Sequence, residues 1–311
     1  MRTAWEQAEG GLLGLLVGDA LGVPYEFHEP QELPPPAQID MIPPAGFLRS
    51  YGHIAPGTWS DDGAQALCLL ESLLECPAWD PNDFASRLLA WYRKGHLAVE
   101  GRVFDVGIQT GAALDRLSQG VSPLDAGLDG ERNNGNGSLM RTLPTALLHR
   151  GDDASLVALT HAQSRLTHAH PRSQVCCALY ALWARKEMEG SSDPWPDAVH
   201  ILQTIYPPGS PHHTELETSV LAFPSQHPVR GSGYVVDCLH AARAACREPD
   251  FPAIIRAAVA FGHDTDTTAC VAGGIAGLRH GKHGIPPGWL SALQDREILD
   301  PILARLREAT R

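Results

Sequence analysis

The chain has no run of about twenty apolar residues of the kind a membrane-crossing helix needs. It also lacks a basic stripe: 36 Asp and Glu stand against 24 Lys and Arg, for a formal charge of −12 at pH 7. The first absence argues against a membrane partner, and the second against general nucleic-acid binding, which requires clustered cations on phosphates. The apolar stretch from 11 to 23 is interrupted by Asp19, and the N-terminus lacks a charged lead followed by a cleavable apolar segment. The seven cysteines include no C-x-x-C pair and form no dense framework, which predicts free thiols in a cytoplasmic compartment. Histidine is plentiful but poorly placed for zinc. His212-His213 follows a proline-rich turn, and His161, His168 and His170 have no cysteine or carboxylate at ligand spacing.

Alternating strand patterns, Ser- or Gly-rich linkers, long charge runs and exact repeats are missing as well. What is present is helical periodicity, with apolar residues recurring at three and four over 64–74, 84–91, 112–117, 175–188, 235–245 and 254–261. Prolines punctuate these stretches at 34–36, 43–44, 77, 81, 123, 207–208 and 286–287. With 43% hydrophobic residues there is material for a sizeable core. The expected architecture is an all-α, compact single domain over residues 1–311. No heptad or long apolar stripe suggests a partner helix, so a monomer is expected.

Two of the predicted helices, over 10–20 and 268–277, are crowded with small residues. Interior glycine costs about 1 kcal/mol each relative to alanine, and close packing of one helix on another is the simplest offset. Such packing serves the core alone, or also holds the polar segments at the helix ends on rigid backbone.

Those end segments carry the chemistry. Gly262-His263-Asp264-Thr265-Asp266-Thr267-Thr268 places two carboxylates and several hydroxyls in a turn before an apolar helix. In an extended turn, residues two apart project to the same side, so Asp264 and Asp266 can converge on a cation. Gly57-Thr58-Trp59-Ser60-Asp61-Asp62-Gly63 has the same grammar two hundred residues upstream. Asp, Ser and Thr are ordinary helix caps, but one cap needs one oxygen. Each further carboxylate held about 4 Å from another costs about 4 kcal/mol at an effective dielectric near 20, and neither segment has a nearby Lys or Arg in sequence. Oxygen-only donors suit magnesium, manganese or calcium.

The stretch Asn133-Asn134-Gly135-Asn136-Gly137-Ser138-Leu139-Met140-Arg141 reads either as a plain loop and cap or as an anion cradle. Gly and Asn accept left-handed backbone that turns successive N–H groups into one concavity. A helix over 139–148 would add its dipole.

Taken together these residues resemble the ADP-ribosylglycohydrolase superfamily, which includes dinitrogenase reductase-activating glycohydrolases and ADP-ribosylarginine and ADP-ribosylserine hydrolases. The resemblance runs through Gly14-x-x-x-Gly18-Asp19-Ala20-Leu21-Gly22 with Glu26, Trp59-Ser60-Asp61-Asp62, Phe104-Asp105-Val106-Gly107, the 135–141 run, Thr167-His168 and Gly262-x-Asp264-Thr265-Asp266-Thr267. It spans residues 9–282. It implies an all-α fold with two divalent cations, Mg2+ or Mn2+, in a binuclear metal cleft. By similarity Ser60, Asp61 and Asp62 hold one ion, Asp264 and Thr267 the other, and Asp266 bridges them. Glu26 lies beside the pair. The implied reaction is hydrolysis of a glycosidic bond between ADP-ribose and an acceptor, with an ADP-ribosylated arginine of a protein favoured. Asp105 is the first candidate for general acid/base and Glu26 the second, although Asp105 could instead cap the helix toward Leu117. Asn136, Gly137 and Ser138 would meet the diphosphate or distal ribose through backbone N–H groups. His168 would either flank the same ligand or cap the helix that follows.

The resemblance breaks at one place. Many members carry Thr after the first acidic pair, where this chain has Gly63, so a hydroxyl is lost but no acid. The residues from 27 to 53, too rich in proline for a regular helix, form a lid or a surface loop. Two other functions stay open: a non-catalytic or immunity-type binder on the same fold, and a metal hydrolase of small nucleotide sugars.

Overall fold

The computed structural model describes residues 2–76 and 78–311, so the predicted proline break at Pro77 lies outside the described residues. Helices dominate, and the only β pairings among the described residues are two isolated bridges, Leu128 with His168 and Gly135 with Tyr234. The longer helices are α1 (Ala4–Gly22), α2 (Asp61–Glu75), α3 (Pro81–Lys94), α4 (Ile108–Ser118), α5 (Asp153–Arg165), α6 (Pro171–Glu189), α7 (Pro194–Ile205), α8 (Val235–Ala245), α9 (Phe251–Val259), α10 (Thr265–His280) and α11 (Arg296–Ala309). All seven cysteines are free. No helix among the described residues is long and apolar enough to cross a membrane.

The first helix is apolar on every side, and a helix of that kind has to be enclosed. From Gly10 to Gly22 all its residues are buried. Its main neighbour is α10, which runs antiparallel to it, with α2, α11 and the helix Leu143–Leu148 around the rest. The small residues predicted to offset their helix cost sit face to face. A Cβ on Gly10 would lie 2.3 Å from the Gly277 carbonyl oxygen, one on Gly14 2.3 Å from that of Gly273, and one on Gly18 2.0 Å from that of Ala269. A Cβ on Gly22 would stand 2.4 Å from the Asp266 Cα. The contacts step by one helical turn, so the seam runs the length of both helices and ends at the first turn of α10.

Two local expectations are corrected. The helix after the Asn-Gly run begins at Leu143, not at 139, because Pro144 lacks an N–H and fits only the first turn. Residues 136–142 instead coil through isolated turns, with Asn136 carbonyl accepting from the N–H groups of Leu139 and Met140. The 264–266 segment is not extended either. Asp264 is the N-cap of α10 and Asp266 lies within its first turn.

The seam yields a direct test. Gly14→Ala places a methyl inside a backbone contact that neither helix can relieve without separating, and should destabilise the fold by about 1–3 kcal/mol. Gly288→Ala, where a Cβ meets nothing within 4 Å, should leave the melting temperature unchanged or raise it slightly. Thermal unfolding of the two variants side by side measures the difference, and equal melting temperatures would refute the close-packed seam.

Candidate metal centre and cleft

The end of α1, the start of α2 and the start of α10 meet at the floor of a cleft of about 980 Å³. Thr265 Oγ1 donates to the Gly22 carbonyl at 2.8 Å and locks α10 onto the end of α1. Glu26 follows four residues later. The loop carrying it is stitched to the 263–264 turn, with Phe27 N–H donating to the His263 carbonyl at 2.7 Å and His263 N–H to the His28 carbonyl at 2.8 Å. On the opposite wall Asn136 Nδ2 donates to Asp264 Oδ2 at 2.9 Å.

Three acids, Asp19, Asp62 and Asp266, offer oxygens all within 4.8 Å of one another, and so do Glu26, Asp264 and Asp266. Asp266 belongs to both sets. Capping does not account for them. Ser60 is the residue that caps α2, its Oγ accepting from Asp62 N–H at 3.2 Å, and Asp264 sits at the N-cap of α10 without making a side-chain cap bond. Glu26 Oε2, Asp62 Oδ2, Asp264 Oδ1 and Asp266 Oδ2 are buried with no hydrogen-bond partner. Four orphaned carboxylate oxygens in two overlapping sets fit divalent cations, since buried anions without a counter-charge are strongly unfavourable. The positive N-terminal ends of α2 and α10 offset only part of the repulsion.

The electrostatics record the same strain. Burial, reinforced by neighbouring carboxylates, pushes Glu26, Asp61, Asp62 and Asp266 well above the ordinary carboxylate range. Asp105 is raised as well, chiefly by burial, against a lowering hydrogen bond from Tyr51. The Tyr51 hydroxyl donates to Asp105 Oδ1 at 2.7 Å. Asp105 has a positive φ of 56° and leaves the N-cap of α4 to Gly107. Its carboxylate therefore faces the cleft and does not cap the helix.

The predicted ligands divide. Asp61, Asp62, Asp264 and Thr267 line the cleft with Glu26 and Asp105. Asp61 Oδ2 accepts from Gln65 at 3.2 Å, and Thr267 Oγ1 donates to Asp62 Oδ1 at 3.3 Å. Ser60 is not among the lining residues, and its Oγ accepts from the Asp62 N–H. Asn136, Gly137 and His168 line the cleft. The Ser138 side chain takes no part: it is fully buried, its Oγ accepts from Ser164, and its carbonyl accepts from Thr142 and Gln163; the contact expected of Ser138 is through its backbone N–H. His170, not His168, caps α6. Cationic side chains are nearer than the sequence suggests, for Arg132 and Arg230 border the cleft and the wholly buried Arg141 bonds Gln65.

Asp19 was not singled out as a site residue. Its carboxylate accepts from Ser60 N–H at 3.0 Å and Gly63 N–H at 2.8 Å, holding the start of α2 against α1, and burial raises it to about 7. The signal was an acid in the middle of an apolar helix. Tyr51 gave no signal at all, lying in an irregular segment. A third acid-rich set, Glu131, His170 and Glu215, is already balanced by Arg172, which bonds Glu131 at 2.8 Å and Glu215 at 2.7 Å.

The ADP-ribosylglycohydrolase family model matches residues 1–311. The chain is 32% identical to the ADP-ribosylarginine hydrolase Tri1 of Serratia proteamaculans (strain 568), over 97% of this chain and 79% of that protein. It is 30% identical to the ADP-ribosyl-[dinitrogen reductase] glycohydrolase of Rhodospirillum rubrum, over 96% of each, and 26% identical to human ADP-ribosylhydrolase ARH3, over 95% and 91%. A solved structure described as an ADP-ribosylglycohydrolase-related protein complex superposes with a TM-score of 0.79 at 30% identity, covering all of both chains.

A metal-free cluster of this kind makes stability depend on pH in a fixed direction. The folded-state pKa of Asp19 lies near 7, above its unfolded value, so its contribution is complete below the ordinary carboxylate range and is lost as pH rises through about 7. In chelator the melting temperature should fall between pH 5 and pH 8. Adding Mn2+ at pH 8 should raise it by mass action, and Asp266→Asn should abolish most of that rise. Calorimetry with and without chelator decides; an unchanged metal response in Asp266→Asn would overturn the assignment.

Proposed function

The chain belongs to the ADP-ribosylglycohydrolase family, and from that membership we propose that it removes ADP-ribose from the arginine side chain of a modified protein. The observation that carries the mechanism is the overlap of two acid sets at Asp266, directly beside the Tyr51–Asp105 pair. Asp62 and Asp266 with Asp61, and Glu26, Asp264 and Asp266 with Thr267, are the residues that would hold two divalent cations, Mg2+ or Mn2+. The chemistry such ions supply is polarisation of oxygen and a lowered pKa for water.

The remaining work falls to the protein. Cleavage breaks the bond from the anomeric carbon to the guanidinium nitrogen and forms a bond from that carbon to a water oxygen. The leaving nitrogen takes up a proton and the water gives one up. Asp105, its carboxyl raised by burial and fixed by Tyr51, is placed to exchange a proton with the leaving group. Glu26 is the second carboxylate in reach. The surrounding acids favour the positive charge that develops on the sugar in an oxocarbenium-like transition state. Asn136, Gly137 and His168, with Arg132 and Arg230 at the mouth, line the part of the cleft that would take the diphosphate.

Incubating the protein with an arginine-ADP-ribosylated target and Mn2+ should release free ADP-ribose, and chelator should stop it. Serine-linked substrate should turn over more slowly. Asp105→Asn should lower kcat by roughly 100-fold or more while keeping the Mn2+-induced rise in melting temperature. Full turnover by that variant would remove Asp105 from the chemistry, and no release from any linkage would leave a binding protein.

A further inference from the structure

Among the described residues Arg141 is the one guanidinium with no exposure at all, and none of its partners is a carboxylate. Nε and one terminal nitrogen donate to Gln163 Oε1 and the Gln163 carbonyl, both at 3.0 Å. The other terminal nitrogen donates to Gln65 Oε1 at 2.8 Å and the Gly137 carbonyl at 3.1 Å. The contact that matters here is to Thr167 Oγ1, at 2.7 Å. Because that oxygen already accepts from a cation, the hydroxyl hydrogen is available for donation. Among the described residues the one acceptor within its reach is His168 Nδ1, 2.7 Å away.

A neutral imidazole that accepts at Nδ1 carries its hydrogen on Nε2. The ring is neutral, because burial first and the Arg141 charge second lower His168 to about 3. Nε2 has no protein partner among the described residues, and His168 lines the cleft. Glycine keeps that nitrogen open: a Cβ on Gly135 or on Gly137 would stand 3.4 Å from Nε2, and the latter 2.9 Å from Cε1.

We infer that Arg141 and Thr167 are positioning residues that fix His168 in the Nε2–H tautomer, so that the ring offers the cleft a hydrogen-bond donor and never an acceptor. The ligand atom it meets is then an acceptor, such as an oxygen of a phosphate or a hydroxyl; that identification rests on the proposed function, whereas the tautomer does not. Through Gln65 the same guanidinium also reaches Asp61, so one cation braces the histidine on one wall and the acidic helix on the floor.

The test is nitrogen-15 NMR of the histidine rings in the full chain, with His168 assigned by its loss in His168→Gln. In the wild type between pH 6 and 8, Nε2 should be protonated and Nδ1 bare. Thr167→Val should erase that preference and weaken binding of ADP-ribose, measured by calorimetry with Mg2+, by about tenfold, the loss expected for one hydrogen bond of about 1.4 kcal/mol. Thr167→Ser should restore both. A proton on Nδ1 in the wild type overturns the inference, and so does a Thr167→Val protein with the wild-type tautomer and affinity. The wild-type spectrum decides even if Thr167→Val does not fold. If ADP-ribose fails to bind the wild type, the functional proposal fails while the spectrum still decides the tautomer.

Discussion

Where Gly10, Gly14 and Gly18 of α1 rest on Gly277, Gly273 and Ala269 of α10, the two backbones touch with no room for even a methyl group between them, which holds the helices in one register. That rigidity is transmitted to the cleft. The seam terminates at Gly22 against Asp266, with Thr265 tied to the Gly22 carbonyl, so residues more than two hundred positions apart are fixed to within an atom's width. Glu26 leaves α1 just beyond the seam, and Asp264 and Asp266 open α10 just beside it. A flexible scaffold would let these carboxylates drift apart to lower their repulsion. This one denies them that relief.

The strain is consequently stored in charge. Backbone N–H donors satisfy Asp19, and Thr267 and Gln65 each satisfy one oxygen of Asp62 and Asp61, but four oxygens of the cluster have nothing. The nearest buried cation, Arg141, is separated from the acids by Gln65. An intervening amide conveys orientation without neutralising the cluster, which leaves the acids free to answer to ions and substrate. A direct Arg–Asp pair would have quenched the site it supports.

The sequence carried the helices and the acids well because both have local signatures. Periodicity located α2, α6, α8 and α9 within a few residues, and the paired small-residue helices announced a tight crossing. Asp61, Asp62, Asp264 and Asp266 were legible as surplus oxygen. Roles set by tertiary partners were not legible. Ser138 sits in the middle of a convincing Asn-Gly run, and only the fold shows that its side chain turns inward against Ser164. Tyr51 belongs to a segment without periodicity, and only the fold brings its hydroxyl to Asp105. Arg141 closes the same Asn-Gly run, and nothing local marks it as the buried cation it becomes when the chain coils.

Gly63 shows how a missing group is compensated by its neighbours. Viewed along the sequence, glycine after Asp61-Asp62 is a lost hydroxyl. In the fold, a Cβ at that position would stand 2.9 Å from Asp19 Oδ2 and 2.7 Å from a Leu16 methyl, and the bare N–H donates to that same Asp19 oxygen at 2.8 Å. The absent side chain is therefore what lets α1 and α2 approach closely enough for Asp19 to grip the start of α2 with both oxygens. A side-chain hydroxyl at 63 could orient one neighbouring carboxylate. The backbone arrangement orients the whole first turn of α2, and with it both acids that project into the cleft.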